Sequence, residues 1–247
     1  MSAHQSSLGS GLPKTKSIPS VAFFAETWHG EAFMRFLITA GPTREAIDPA
    51  RYITNRSSGK MGYCLAEAAA HHGHKVILIS GPTSLDVPDG VDFLPVESAQ
   101  EMYDAVSFHA NKADVAILSA AVADYRPKHV APQKIKKTEE TMSLELERTP
   151  DILGSMRSTF SFDKVLIGFA AETNDVEIYA RGKLERKQCD MIVANDVSRR
   201  DIGFDSSENE VTLIYPDRSE LIDKASKSKI AMDIIHRACE LAAARQY

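Results

Sequence analysis

The run Asn55-Arg56-Ser57-Ser58-Gly59-Lys60-Met61-Gly62 places a neutral amide, two hydroxyls, two cations and two glycines at the start of an apolar helical pattern. A helix N-terminus carries unpaired backbone N–H groups and a partial positive charge. Gly59 and Gly62 let a ligand come close to that backbone, and Ser57 and Ser58 add hydroxyl donors, so the natural occupant is an anion. Further cations follow. Lys134, Lys136 and Lys137 cluster in the polar stretch APQKIKKTEETM (131–142). Lysine is a flexible point charge suited to phosphate, and a mobile turn carrying one can close over a polyphosphate. Lys183 and Lys187 stand four residues apart on one helix face, with Arg181 and Arg186 beside them. Taken singly, each segment also fits a capped helix after an ordinary loop, or a solvated charged surface. Taken together, these cations can embrace a triphosphate.

The elements that must position these residues alternate along the chain. Apolar runs predict strands at 35–41, 75–81, 92–96, the start of 113–125, 164–173 and 190–196. Helical spacing covers 60–72, 99–112, 149–159, 177–189 and 224–245, and 210–222 reads as a hairpin. For the 149–159 helix, Thr149 is the expected N-cap and Pro150 the first helical residue. Buried strands separated by helices predict an α/β fold: a mainly parallel, doubly wound, Rossmann-like sheet flanked by helices, with a C-terminal β-hairpin. Such sheets bind ligands at the carboxyl ends of their strands. The unusual residues lie there: Gly41-Pro42-Thr43, Ala120 to Asp124, Phe169 to Thr173, and Asn195-Asp196 each follow an apolar run.

Composition narrows the class. Residues 1 to 33 are rich in Ser, Gly, Lys and Pro around a short aromatic patch at Trp28, which predicts a loosely ordered extension before one domain over 34–247. A net charge of -5 argues against a general nucleic-acid binder. No apolar run approaches the roughly 20 residues of a membrane span, and the N-terminus lacks a signal-peptide core. Cys64, Cys189 and Cys239 show neither metal-ligand spacing nor a pairing pattern, so a reducing cytoplasm is expected.

The segments ITAGPTREAIDPARYITNRSSGKMG, SAAVADYRP, KIKK, TPDIL, GFAAET and KLERKQCDMIVAND occur in this order. They resemble the successive signatures of the phosphopantothenate–cysteine ligase family, also called phosphopantothenoylcysteine synthetase, of coenzyme A biosynthesis. The resemblance covers about residues 35 to 240. In many bacteria this domain follows a flavin-dependent decarboxylase; the expectation for this sequence is the stand-alone, bacterial-type ligase. The resemblance implies two steps. The carboxylate of 4′-phosphopantothenate attacks the α-phosphate of CTP and pyrophosphate leaves; the amine of L-cysteine then displaces CMP from the acyl-cytidylate. Mg²⁺ shields the triphosphate.

The resemblance also implies roles. Asn55 serves the acyl-intermediate half-reaction, as a neutral amide able to hydrogen-bond the acyl-phosphate region. Lys134 is the catalytic, nucleotide-binding lysine of a flexible flap. Ala120, Asp124, Pro150, Asp151, Ile152, Leu153, Phe169, Lys183 and Lys187 match nucleotide-site positions. Arg51, Ser57, Ser58 and Gly59 are assigned to the other substrate, with Arg51 and Asp48 ordering the loop before Asn55. Asp124 suits either a ribose hydroxyl or the metal, whose ligands are otherwise unassigned. Thr149 stands where some relatives have Asn. A homodimer is implied, with the EVTLIY hairpin as a candidate mediator; neither nucleic acid nor a membrane is an expected partner. Two other readings compete. A nicotinamide-dependent oxidoreductase would share the sheet, but G-x-G-x-x-G is missing and LISGPTS ends the second strand without a ribose-binding acid. A non-catalytic nucleotide sensor would bind without turnover.

Overall fold

Val, Ile and Leu concentrate in short runs that pair side by side, and the polar residues collect where those runs end. The computed structural model describes residues 33–137, 140–196, 198 and 207–245. The first half comprises β1 (Arg35–Ala40), β2 (Arg44–Asp48), β3 (Arg51–Thr54), α1 (Lys60–His71), β4 (Lys75–Ser80), β5 (Val91–Pro95) and α2 (Ala99–Ala110). Next come β6 (Val115–Leu118), β7 (Tyr125–Pro127), β8 (Leu146–Arg148), α3 (Ile152–Ser158) and β9 (Val165–Glu172). The chain closes through α4 (Val176–Lys187), β10 (Met191–Asp196), β11 (Glu208–Ile214), β12 (Ser219–Ser226) and α5 (Lys227–Ala244).

Eight strands form one sheet in the order β12-β11-β10-β9-β6-β1-β4-β5. From β10 to β5 every pairing is parallel; β11 and β12 add an antiparallel edge. Side chains alternate across each strand. Phe36, Ile38 and Ala40 of β1 therefore join α1 and α5 in one buried cluster, while Leu37 faces the cluster built with α2, α3 and α4. The chain winds outward from β1 toward β5 and from β6 toward β10, so the direction reverses between β1 and β6. A crevice opens at the carboxyl ends of strands at such a reversal.

Three expectations need correction. α3 begins at Ile152 with Asp151 as N-cap, its side chain accepting from the Gly154 N–H at 2.9 Å. Thr149 is not the cap, because its hydroxyl donates to the Ala123 carbonyl oxygen at 2.5 Å and its N–H donates to that of Asp124 at 3.0 Å. Those bonds tie Thr149 and Pro150 to the loop after β6, outside the helix. The closing helix starts at Lys227 rather than 224, since Lys224 to Ser226 extend β12 and Ser226 caps α5. Two small hairpins, β2–β3 and β7–β8, were not anticipated; their strands are short and largely polar, so no apolar alternation marks them. The extension expected over 1–33 lies, but for Phe33, outside the described residues, as do Thr138 and Glu139 of the expected mobile turn.

α1 crosses β1 at Gly62, where an added Cβ would lie 2.5 Å from the Ala40 Cβ and 2.8 Å from the Ser119 Oγ. Gly62→Val should therefore lift α1 from the sheet and cost about 1–3 kcal/mol, read as a lower urea midpoint with unchanged slope.

His74 begins the approach to β4 and is buried against Phe36, with ring centroids 5.0 Å apart. Its Nε2 lies 3.4 Å from the Cys239 Sγ, and its Nδ1 has no partner among the described residues. Burial, aided by the nearby His72, pushes its pKa below the ordinary value of 6.5. The unfolded chain then binds a proton that the native state refuses. This contribution to stability is complete above the unfolded pKa and is lost as pH falls through it toward the native value. Urea midpoints at about pH 7.5 and about pH 5.5 should differ in the wild type, and His74→Leu should shrink that difference.

Candidate active site

A cleft of about 890 Å³ lies at the carboxyl edge of the sheet. One wall is the connection from β3 into α1, residues 55 to 62. Gly59 is the N-cap of α1 at φ 75°, and a Cβ there would meet the Thr83 Cγ2 at 2.7 Å. Glycine is thus required both for the left-handed backbone and for space. No side chain caps the first turn of α1 and no acid occupies it. The N–H groups of a 12-residue helix are left pointing at the cleft, with Lys60 beside them. Ser57, Ser58 and Gly59 line this wall.

Asn55 is held by the loop after β6. Its Nδ2 donates to the carbonyl oxygens of Val122 at 2.9 Å and Ala121 at 3.3 Å. A flipped amide would set Oδ1 against the same two carbonyls, so the orientation is determined and Oδ1 is the atom Asn55 can offer a ligand. The sequence left open which end of the amide faces a ligand; the geometry presents the acceptor. Thr43, buried under this loop, accepts from the Ala123 N–H through Oγ1 at 3.0 Å, and its carbonyl accepts from the Thr54 hydroxyl at 2.7 Å.

The other wall belongs to β9 and α4. Lys183 donates to the Phe169 carbonyl oxygen at 2.6 Å. Burial pushes its pKa down, and the charge of Glu172 acts against that shift. Lys187 pairs with Asp151. Burial alone would raise the Asp151 pKa, but Lys187 and the Gly154 N–H hold it below the usual value. Ala120, Asp124, Pro150, Ile152, Leu153 and Phe169 complete this end of the cleft.

Two expected residues do not reach the cleft wall. Arg51 binds Asp48, with Nη2 to Oδ2 at 2.5 Å, and donates to the Ile135 carbonyl oxygen at 3.1 Å. The Asp48 carboxylate also accepts from the Ile135 N–H at 3.1 Å, and the Arg51 guanidinium holds that carboxyl far below the usual range. Arg51 and Asp48 therefore anchor the KIKK segment to the β2–β3 hairpin. Lys134 sits beside that anchor and is absent from the lining, as are Lys136 and Lys137. Arg186 is absent as well, and Arg181 is engaged by Glu177.

The lining also includes Asn195, Asn209 and Lys227, to which the sequence assigned no role. Asn209 and Lys227 are 3% and 4% exposed, so they are buried parts of the lining. Asn195 is the next-to-last residue of β10, with its Oδ1 buried and unpartnered among the described residues. A lysine directly after the capping Ser226 was the available signal for Lys227, but its burial depends on how α5 meets α1.

No group of three or more His, Cys, Asp or Glu gathers among the described residues. Mg²⁺ needs only one or two carboxylates when substrate phosphates supply its other ligands. Asp124 is an exposed cleft carboxylate with no described partner, so the donor set fits a metal carried on a triphosphate. No helix among the described residues is long and apolar enough to cross a membrane.

Fold and cleft define a Rossmann-like α/β protein with an open helix mouth facing two lysines across the carboxyl edge of its sheet. Residues 32–241 match the model of the DNA/pantothenate metabolism flavoprotein C-terminal domain, and the chain belongs to that family. It is 53% identical over 201 residues to the coenzyme A biosynthesis bifunctional protein CoaBC of Vibrio vulnificus strain YJ016, a match covering 81% of this chain and 50% of that protein. The chain spans about half the length of the curated relatives it matches. The crystal structure of the C-terminal domain of CoaBC is 46% identical and similar at TM-score 0.72, covering 84% of this chain and 94% of that one. A Cab2 mutant in complex with phosphopantothenate-cysteine shares the fold at TM-score 0.69 and 17% identity, with coverage of 87% and 89%.

Proposed function

We propose that this chain is a phosphopantothenate–cysteine ligase of coenzyme A biosynthesis, using CTP and passing through an acyl-cytidylate. The observation that carries the reading is the uncapped mouth of α1 sharing one cleft with Asn55, Lys183 and Lys187. The CoaBC name of relatives at about half identity supports the pathway, and the phosphopantothenate-cysteine in complex with the Cab2 mutant supports the substrates.

The chemistry follows from charge and placement. Two polyanions must meet, and their repulsion is the main obstacle. The α1 mouth and the hydroxyls of Ser57 and Ser58 offset one anion, while the lysines and the 150–153 turn receive the nucleotide. Donors fixed by the fold need no reorganisation as charge shifts to the leaving pyrophosphate. Asn55 adds no charge where the acyl group is activated, and its Oδ1 suits an N–H of the attacking amine. Bound Mg²⁺ supplies charge neutralisation on the triphosphate, with Asp124 as the residue to hold it. Lys134 acts from the KIKK segment, which must move to reach the cleft. The reading includes a homodimer, supported by β12 forming a sheet edge with exposed Leu221. It also includes a cytoplasmic setting, supported by three buried cysteines outside any disulfide.

Pyrophosphate release tests the reading. It should require CTP, Mg²⁺ and phosphopantothenate together, and a panel of ATP, GTP and UTP should be slower. Release without phosphopantothenate, or reduction of a nicotinamide by the chain, contradicts the ligase assignment.

A further inference from the structure

Three carboxylates line the cleft: Asp124, Asp151 and Glu172. Asp151 is engaged by Lys187 and the Gly154 N–H. Asp124 is exposed after β6, on the side assigned to ribose or metal. Glu172 differs. It is the last residue of β9, in register with Asp196 of β10, and it is half-buried in the cleft wall. Its carboxylate makes no hydrogen bond or ion pair with any described residue. Lys183 feels its charge but directs its ammonium to the Phe169 carbonyl oxygen instead. A lone carboxylate in a cleft that receives two polyanions weakens the binding of both, unless a cation arrives with them. Among the organic substrates of the proposed reaction, only the amino acid carries one.

We infer that Glu172 seats the α-ammonium of the incoming amino acid and takes its first proton. The inference deepens the ligase reading and rests on it. An ammonium has no lone pair, so one proton must leave before attack; the Glu172 carboxylate accepts it. The freed lone pair forms the C–N bond to the acyl carbon. The nitrogen of the tetrahedral intermediate releases a second proton to solvent. The C–O bond to the cytidylate then breaks, and CMP leaves with that electron pair. The position of Glu172 on a strand end, rather than on a loop, sets the direction of attack.

The test uses the full chain and separates the half-reactions. Glu172→Gln should not slow the single-turnover release of pyrophosphate at saturating CTP and phosphopantothenate. Coupling to cysteine should fall roughly 10²-fold in kcat/KM, with a raised KM for cysteine, as for loss of a general base that also binds. Hydroxylamine, whose amine is uncharged at neutral pH, should still form the hydroxamate at close to the wild-type rate. Glu172→Asp, which keeps the charge, should recover part of the cysteine reaction. Unchanged cysteine coupling overturns the inference. So does an equal fall in pyrophosphate release, or a raised Mg²⁺ requirement, either of which places Glu172 with the nucleotide. A wild-type chain that makes no amide at all fails the ligase reading itself, an outcome visible before any variant is compared.

Discussion

Asn55→Asp should lower amide formation roughly 10²-fold or more, the scale for losing a fixed contact to the reacting centre. The substitution is nearly isosteric but replaces a donor by a second anionic oxygen. That oxygen would face the carbonyls of Ala121 and Val122, which now accept from Nδ2. It would also place negative charge beside the activated acyl group, where partial exclusion of water strengthens repulsion. The lysines and the 150–153 turn are untouched, so pyrophosphate formation in a single turnover without cysteine should survive better than amide formation. Some acyl-cytidylate should then accumulate for trapping by rapid quench and mass analysis. Asn55→Ala supplies the control: it loses both hydrogen bonds without adding charge, each worth about 1 kcal/mol. Equal loss of both steps in Asn55→Asp would reduce Asn55 to a tie between two loops.

Lys134→Gln is expected to lower turnover by a similar factor, roughly 10²-fold, while changing folding stability by no more than about 0.5 kcal/mol. Glutamine keeps similar reach and removes the charge. The interest lies in the distance to be covered: Lys134 is outside the cleft lining, next to Ile135, which Asp48 and Arg51 hold on both its N–H and its carbonyl. A large kinetic effect from this position requires the segment to swing over bound triphosphate, a gating motion of the kind that lids perform. Steady-state kcat together with the KM for CTP measures it. Near-normal turnover would remove Lys134 from the mechanism and leave the KIKK run as a charged surface.

Much of the sheet was legible because its strands are buried on both faces and read as apolar runs; KVILIS and KVLIGFAAE have no other plausible place. The cleft wall at residues 55 to 62 was legible for a related reason, since two glycines with serines and a lysine at a helix start mark backbone that a ligand can approach. What failed was local and polar. Thr149 looked like a cap, but the Ala123 and Asp124 carbonyls claimed it, and Asp151 took over. Arg51 was read both as a substrate ligand and, with Asp48, as ordering the loop before Asn55; the pair forms, with Asp48 three residues away and fully buried on its side chain. Lys187 was read among the clustered cations, and its pairing with Asp151, the N-cap of α3, shows only in three dimensions. Lys227 and Asn209 enter the cleft only because α5 and β11 pack across the sheet, a long-range consequence that no local pattern carries. Charged side chains of this kind are decided by which neighbour arrives first in three dimensions.

The acyl-cytidylate is the central claim, and oxygen transfer tests it most directly. Phosphopantothenate carrying ¹⁸O at both carboxylate oxygens would be turned over with CTP, Mg²⁺ and cysteine, and the released nucleotide weighed. Attack of the carboxylate on the α-phosphorus moves one of those oxygens onto phosphorus, and it stays there when the amine displaces CMP. The account therefore predicts one ¹⁸O in each CMP and none in pyrophosphate. Unlabelled CMP, or label recovered in inorganic phosphate or pyrophosphate, would contradict it.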